Sequence, residues 1–199
     1  EVPVYVTDKS VVENLTGYTM FQGILAVAKI PLPPTLPQLL ERTSKPNLFV
    51  AIDGVDNAEN LGTLVRNCAA FSVQALLINQ GSSSPFLRRA VRSSMGGIFE
   101  IPVLEELDLV DTLQELKQHG VRCVAAHPRD GSKFLPEANL KTDCCIILGN
   151  EAHGISEAVL AVCDDLVLIP MPPAVSSMNV SNAGAVFLYE AQRQRKFGQ

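Results

Sequence analysis

The sequence has no apolar run that approaches the roughly 20 residues of a membrane-spanning helix, and no secretory signal pattern opens it. It has no C-x-x-C motif, and its five cysteines are an odd number. All of them except Cys163 lie in or beside apolar stretches. This usage predicts buried free thiols in a reducing compartment, without a disulfide framework or a zinc site. We therefore expect a cytoplasmic protein with no membrane partner and no metal.

Several enzyme signatures are also missing. No G-x-G-x-x-G follows the first strand-like segment, and the sequence contains neither a P-loop nor a G-x-S-x-G motif. These absences argue against a Rossmann-type nucleotide enzyme and against a serine hydrolase of the nucleophile-elbow type. Internal repeats and low-complexity tracts are absent as well, which leaves an ordinary globular fold as the expectation.

The composition suits one sizeable domain, since 47% of the 199 residues are hydrophobic and 19% are charged. The chain begins with Glu rather than Met, so we expect a piece of something longer. A net charge of −5 argues mildly against nucleic acid as a partner, but the distribution of charge matters more than its sum. Arg88, Arg89 and Arg92 form one basic cluster. A second, at Arg193, Arg195 and Lys196, suits either a helix C-terminus or RNA contact.

From Leu48 onward, apolar strand-like runs alternate with amphipathic segments, which predicts an α/β fold with a parallel sheet flanked by helices. Before that point we expect strands at residues 2–6 and 24–30, followed by a Pro-rich linker over residues 31–47. The predicted strands are residues 48–53, 75–78, 101–103, 121–126, 144–148 and 166–169. The predicted helices begin near Asn60, Ser84, Asp108, Ser156 and Asn179, and Gly120 ends the third of them.

Three polar blocks next to apolar runs stand out: Asn60–Arg66, Leu148–Gly154 and Ile169–Ser181. In a parallel sheet, loops at the carboxyl ends of strands form the ligand site, and each block lies after or near such an end. Each block also has a purely structural interpretation. Arg66 would be a solvated helix residue with Asn60 as a cap, Glu151 would face water, and Ser177 and Asn179 would cap the last helix.

In order and spacing, the three blocks resemble the signature motifs of the SpoU (TrmH-like) RNA 2′-O-ribose methyltransferases of the SPOUT superfamily. The resemblance covers about residues 48–196 and includes Arg92-Ser-Ser-Met-Gly96. The ending at residues 187–195 is similar to the 23S rRNA guanosine 2′-O-methyltransferase branch. The resemblance implies a C-terminal deep trefoil knot, a homodimer, and S-adenosylmethionine as cofactor. It also implies that residues 1–30 are a remnant of an N-terminal RNA-binding module and that residues 48–199 form the catalytic domain.

The same resemblance implies roles for individual residues. Arg66 is the family's catalytic residue, proposed as a base. Because a guanidinium normally stays protonated, we expect it first to hold an RNA phosphate, and action as a base would require a strongly perturbed site. Asn60, Ser177 and Asn179 would orient Arg66, and Glu151 would shape its field. The cofactor cleft would be lined by Ala126, Gly149, Ile169, Met171 and Met178. RNA would be bound by Arg88, Arg89 and Arg92.

One residue departs from the family pattern. Pro173 stands where SpoU proteins usually have Gly, and because proline lacks an N–H, one backbone contact to the cofactor would be lost. We expect an enzyme that methylates ribosomal RNA. The alternatives are a transfer-RNA ribose methyltransferase and a non-catalytic RNA-binding or assembly protein that keeps the fold.

Overall fold

The computed structural model describes residues 2–20, 23–129, 131–172, 174, 175 and 177–196, the last without its side chain. The chain divides into two units, residues 1–32 and residues 33–199. In the first unit, helix α1 (Lys9–Thr16) ends at Gly17, whose φ of 72° is left-handed. The predicted strands at 2–6 and 24–30 are wrong. Both segments are described and neither contains a strand, since neither has a neighbouring strand with which to pair.

The second unit contains one seven-stranded sheet in which every pairing is parallel, as predicted, with strand order β3-β2-β1-β6-β4-β7-β5. The strands are β1 (Leu48–Asp53), β2 (Ala75–Asn79), β3 (Val103–Leu107), β4 (Arg122–Ala126), β5 (Lys133–Phe134), β6 (Cys144–Gly149) and β7 (Asp165–Leu168). The helices are α2 (Leu36–Arg42), α3 (Ala58–Ala70), α4 (Arg88–Ser93), α5 (Leu109–Gln118), α6 (Glu157–Val162) and α7 (Val180–Lys196).

Both faces of the sheet are covered, because successive side chains of a strand point to opposite faces. On one face Val50 and Ile146 pack with the buried sides of α3 and α7. On the other face Phe49 and Ile147 pack with α2, α5 and α6. Strands buried on both sides explain the continuous apolar runs from which they were predicted. None of the helices in the described ranges is long and apolar enough to cross a membrane.

Three local predictions need correction. The segment predicted as a linker contains α2, whose Leu36 and Leu39 are buried in the core. The short helix predicted to open at Ser84 begins at Arg88, and residues 85 and 86 form a turn before it. The strand predicted at 101–103 runs from Val103 to Leu107 instead.

Candidate active site

The three polar blocks meet at the carboxyl edge of the sheet. β1 and β6 are neighbours, and Asp53 at the end of β1 lies in register with Gly149 at the end of β6. Because every strand is parallel, the loop before α3, the loop after β6 and the segment after β7 all leave the same edge. The fold therefore brings together residues that are more than a hundred positions apart in the chain.

A chain of hydrogen bonds joins one residue from each block. The Asn60 side-chain amide donates from Nδ2 to Oε1 of Glu151. Its Oδ1 accepts a hydrogen bond from Nδ2 of Asn179 at 2.9 Å. Asn60 is free to make both contacts because Asn57, not Asn60, caps α3, accepting from the backbone N–H groups of residues 59 and 60. The interpretation of Asn60 as a simple cap is therefore wrong.

Asn179 combines the site contact with a structural one. Its Oδ1 accepts hydrogen bonds from the backbone N–H of Ser181 at 2.9 Å and from the Ser181 hydroxyl. The Asn179 side chain thereby caps the first turn of α7. The Ser181 carbonyl in turn accepts from Nδ2 of Asn67 at 2.8 Å. Thus α3 and α7 are connected at both Asn60 and Asn67, which fixes the direction in which Asn179 presents its amide.

Glu151 is exposed and is presented by a tight loop that follows β6. Asn150 and Gly154 exchange two backbone hydrogen bonds, both 2.9 Å long. A Cβ on Gly149 would lie 2.4 Å from the Gly154 backbone carbon, so only glycine permits this closure. The loop gives Glu151 a defined contact with Asn60, in addition to its exposure to water.

Two of the predicted catalytic residues are not part of this hydrogen-bonded set. Arg66 lies on the same helix as Asn60 but about 9 Å further along its axis. Its exposed side chain makes no hydrogen bond or ion pair in the described part of the chain. Ser177 is likewise exposed, with no side-chain partner among the described residues. The structure therefore does not place Asn60, Ser177 or Asn179 as direct supports of Arg66.

The predicted cofactor residues lie around the ends of three neighbouring strands. Ala126 ends β4 and Gly149 ends β6, while Ile169 follows β7 directly. Ile169 and Met171 are partly buried, and Met178 is more exposed. Pro173, the departure from the family pattern, lies outside the described residues.

The two basic clusters differ in their surroundings. Arg88, Arg89 and Arg92 lie on α4 and are all exposed. Helix α4 packs closely on α3, because a Cβ on Gly62 would lie 2.2 Å from the carbonyl oxygen of Ala90. In the C-terminal cluster, Arg193 pairs with Glu190 at 2.7 Å. This pairing holds the pKa of the Glu190 carboxyl below its usual value, the hydrogen bond from Arg193 being the largest cause.

Arg195 is bound to the protein itself. Its guanidinium donates to the backbone carbonyls of four residues from two segments of the chain, at 2.7 to 2.9 Å: Pro46, Asn47, Leu140 and Thr142. These contacts support neither of the two interpretations of the cluster for Arg195, the helix dipole or RNA contact. It ties the end of α7 to the amino edge of the sheet.

The cysteines offer no nucleophile. All five are free, and burial raises the pKa of the Cys68, Cys123 and Cys163 thiols to about 12. A thiol with such a pKa stays protonated at neutral pH and is therefore unreactive. Within the described ranges, no group of three or more His, Cys, Asp or Glu side chains is arranged to hold a metal ion.

The sequence matches the SpoU rRNA Methylase family over residues 47–189. The chain belongs to this family. A 23S rRNA (guanosine-2'-O-)-methyltransferase RlmB of Shewanella oneidensis is 33% identical to this SpoU-family chain over 97% of the chain and 79% of the relative. An uncharacterized tRNA/rRNA methyltransferase of Mycobacterium bovis is 32% identical over 96% of the chain. The chain spans 66% of the length of that mycobacterial relative.

Solved structures are similar as well. The SpoU methyltransferase AviRb from Streptomyces viridochromogenes, in complex with the cofactor AdoMet (S-adenosylmethionine), superposes with a TM-score of 0.73 at 26% identity. The match covers 80% of the SpoU-family chain and 64% of AviRb. The TrmH/SpoU tRNA modifying enzyme of A. aeolicus gives a TM-score of 0.69 at 28% identity, covering 77% and 78% of the two chains.

Sequence reasoning missed the residues that hold the site in shape. Asp53 and Asn79 end β1 and β2, and Asn150 is the first residue of the Glu151 loop. Their side chains form hydrogen bonds that connect the ends of these strands with that loop. The available signal was a polar residue at the end of a buried strand, for Asp53 and Asn79, or shortly after one, for Asn150, because polar side chains beside a core need hydrogen-bond partners.

Proposed function

We propose that this SpoU-family chain is an S-adenosylmethionine-dependent RNA 2′-O-ribose methyltransferase that acts on ribosomal RNA. The observation that carries the proposal is the hydrogen-bonded set Asn60–Glu151–Asn179. One residue of each family motif contributes to it, at the edge of the sheet where parallel α/β folds bind ligands.

The residues at the strand ends fit the cofactor. Ala126, Gly149 and Ile169 present backbone atoms and small or apolar side chains at three adjacent strand ends, and Met171 and Met178 follow in the same segment. Such a surface suits the flat, largely uncharged adenosine part of the molecule. When bound, S-adenosylmethionine supplies a methyl group that is already activated on its sulfonium.

The residues of the chain must then orient the ribose 2′-hydroxyl and allow its proton to leave. Arg66 is exposed and makes no hydrogen bond or ion pair within the described part of the chain, so its five N–H donors are available to hold an RNA phosphate in bidentate fashion. Glu151 and Asn179 are linked through Asn60 at the same edge of the sheet, where they would contact the substrate. Ser177 is exposed on the segment that leads into Asn179 and is free to bind substrate as well.

Ribosomal RNA is the proposed substrate because the Shewanella relative is named as a 23S rRNA enzyme and matches along 97% of this chain. The exposed arginines of α4 would contact the RNA backbone. We further propose that residues 48–199, with α2 packed against them, form the catalytic domain, and that residues 1–30 belong to an RNA-binding module. The five free cysteines suit the cytoplasm.

We also propose that the segment after β7 forms a trefoil knot and that the chain is a homodimer. β6 lies between β1 and β4, so the chain returns to the middle of the sheet before it reaches α7. Exposed apolar side chains on α7, Val186 and Tyr189, offer a surface for a second copy. Sedimentation velocity over a range of concentrations measures the association, and a monomer at all concentrations would contradict it.

The test of the function combines calorimetry with methyl transfer. We expect one S-adenosylmethionine site per chain with micromolar affinity, and transfer of a labelled methyl group to 23S ribosomal RNA. Arg66→Ala should lower the transfer rate about a hundredfold while cofactor affinity stays unchanged. Arg42→Ala, which removes an exposed arginine from α2 on the opposite face of the sheet, is the control.

Each negative outcome points elsewhere. A folded protein that binds no S-adenosylmethionine would favour the non-catalytic RNA-binding function. Transfer to transfer RNA in place of ribosomal RNA would correct the substrate, and near-normal transfer by Arg66→Ala would remove Arg66 from the mechanism.

A further inference from the structure

The loop that presents Glu151 is anchored by a carboxylate outside the three motif blocks. Asp53 is 7% exposed at the end of β1. Its Oδ2 accepts from the backbone N–H of Ser156 at 2.8 Å, and its Oδ1 accepts from Nδ2 of Asn79 at 2.7 Å. The carboxylate therefore joins the far end of the Glu151 loop to the end of β2.

Asn79 also binds Gly54, the residue that follows Asp53 in the chain. Its Oδ1 accepts from the backbone N–H of Gly54 at 3.0 Å and from the Ser82 hydroxyl at 2.6 Å. The carbonyl of Gly54 accepts from Nδ2 of Asn150 at 2.7 Å. Both ends of the segment 150–156 are thus hydrogen-bonded to the dipeptide Asp53–Gly54. Asn79 in turn is hydrogen-bonded to both residues of that dipeptide.

We propose that Asp53 and Asn79, the Asp53–Asn79 pair, are positioning residues that hold Glu151 against Asn60. This inference rests on the proposed function. A buried carboxylate is costly unless it is hydrogen-bonded, and apolar residues would serve a purely packing purpose better. The bonds of the pair lead to the Glu151 loop and to the loops beside it, not into the apolar core. A small shift of such a loop is enough to slow a reaction strongly.

The donors and acceptors of the pair allow a reciprocal exchange. In Asp53→Asn, residue 53 would offer one acceptor oxygen to two donors, the Ser156 N–H and the Asn79 amide. Rotating the side-chain amide of residue 53 or of Asn79 by 180° would not help, because one N–H would still face another N–H. Asn79→Asp alone would place two carboxylates against each other. In the double variant D53N/N79D, the new amide donates to the new carboxylate, and every other bond of the pair is restored.

The experiment compares wild type, the two single variants, the double variant, and Asp108→Asn as a matched control. Asp108 caps α5, and asparagine serves equally well as a cap. Methyl transfer to 23S ribosomal RNA gives kcat and KM, urea unfolding gives stability, and hydrogen exchange follows the amides of residues 150–156. All rates are measured where unfolding shows every variant to be folded.

We expect each single variant to lower kcat by about ten- to a hundredfold, with KM for RNA changed less than about twofold. The double variant should return to within about threefold of wild type, and amide exchange over 150–156 should rise and fall in parallel. Reduced stability with unchanged kcat in the folded single variants would show a merely structural role and overturn the inference.

Failure of the proposed function is separable from failure of this inference. If wild type transfers no methyl group, the proposed function fails. Hydrogen exchange over residues 150–156 still tests whether the Asp53–Asn79 pair fixes the Glu151 loop. Exchange over 150–156 that is equal in all variants would overturn the inference, with or without methyl transfer.

Discussion

Two arginines of this chain have opposite surroundings, and the partners of each decide its role. Arg66 is exposed and has no protein partner in the described ranges, whereas the Arg195 guanidinium donates to four backbone carbonyls. A side chain whose donors are already bound to protein has little left for RNA. The partners of Arg195 lie about 50 to 150 positions away in sequence, so inspection of the sequence around it does not reveal them.

The role of Arg195 can be tested by replacing only its guanidinium. We expect Arg195→Met to lower the free energy of unfolding by about 3 kcal/mol, because the partly buried carbonyls of Asn47 and Leu140 lose a charged donor. Urea unfolding measures the change. Arg193→Met is the matched control, since among the described residues that exposed side chain bonds only to Glu190 on its own helix. Equal stability of the two variants would contradict the structural role of Arg195.

At the scale of elements, local capping signals predicted the boundaries of α5 and α6 well, although the signal at Ser84 precedes a turn and not the helix itself. Asp108 and Ser156 are the N-caps of α5 and α6, and Gly120 follows the end of α5 with a φ of 80°. The Asp108 carboxylate accepts from two backbone N–H groups of its own helix, so this signal acts within a single turn of chain, whereas Ser156 makes no side-chain bond to α6. Tertiary contacts are not needed to predict them.

The errors have equally physical causes. Prolines in the segment 31–47 suggested a linker, but proline is tolerated in the first turn of a helix, where its missing N–H has no partner anyway. The capping box between Thr35 and Gln38 was the signal for α2 that went unread. β5 has only two residues, and its partners in β7, Val167 and Leu168, follow 34 positions later in the chain. Such pairing leaves no periodicity to detect.

Close packing of α4 on α3 depends on one glycine. A Cβ on Gly62 would lie 2.2 Å from the backbone oxygen of Ala90 and 2.8 Å from its Cα, and backbone cannot move aside cheaply. We expect Gly62→Ala to destabilise the protein by about 2 kcal/mol through overpacking, despite the better helix propensity of alanine. Thermal or urea unfolding measures this effect.

Gly184→Ala on α7 is the matched control for Gly62→Ala. The atoms nearest to its Cβ would be the ends of the Leu64 side chain at 2.5 Å and of the Leu148 side chain at 3.1 Å, and flexible side chains can shift. We expect the smaller loss of stability there. A Gly62→Ala protein as stable as Gly184→Ala would mean that α4 is free to move away from α3.

For the whole molecule, the edge at which the site forms could be predicted from the sequence, but its contacts could not. Alternation of strands and helices implies a parallel sheet, and a parallel sheet implies a site at its carboxyl edge. Which residues touch there depends on strand order. β6 lies next to β1 in the sheet although four strands separate the two along the chain. This placement brings Glu151 into contact with Asn60. No local pattern encodes that neighbourhood.

Charge is the other property that belongs to the whole molecule. The chain carries a net charge of −5, yet Arg89 and Arg92 stand exposed together on one short helix. Phosphate contacts release counterions, and each contact adds about 0.7 to 0.9 to the slope of log affinity against log salt concentration. A small positive surface on an acidic molecule therefore predicts RNA binding that is weak, strongly local and dependent on salt.

The prediction is that Arg89→Ala with Arg92→Ala reduces that slope by about 1.5 for binding to 23S ribosomal RNA. Fluorescence anisotropy at several salt concentrations measures it. Lys45→Ala is the control, because Lys45 lies at the opposite, amino edge of the sheet and pairs with Asp143 at 3.2 Å. An unchanged slope in the double variant would show that RNA does not contact α4. A loss equal to that of Lys45→Ala would show that only the overall charge matters, since the local surface would then contribute no more than any other cation.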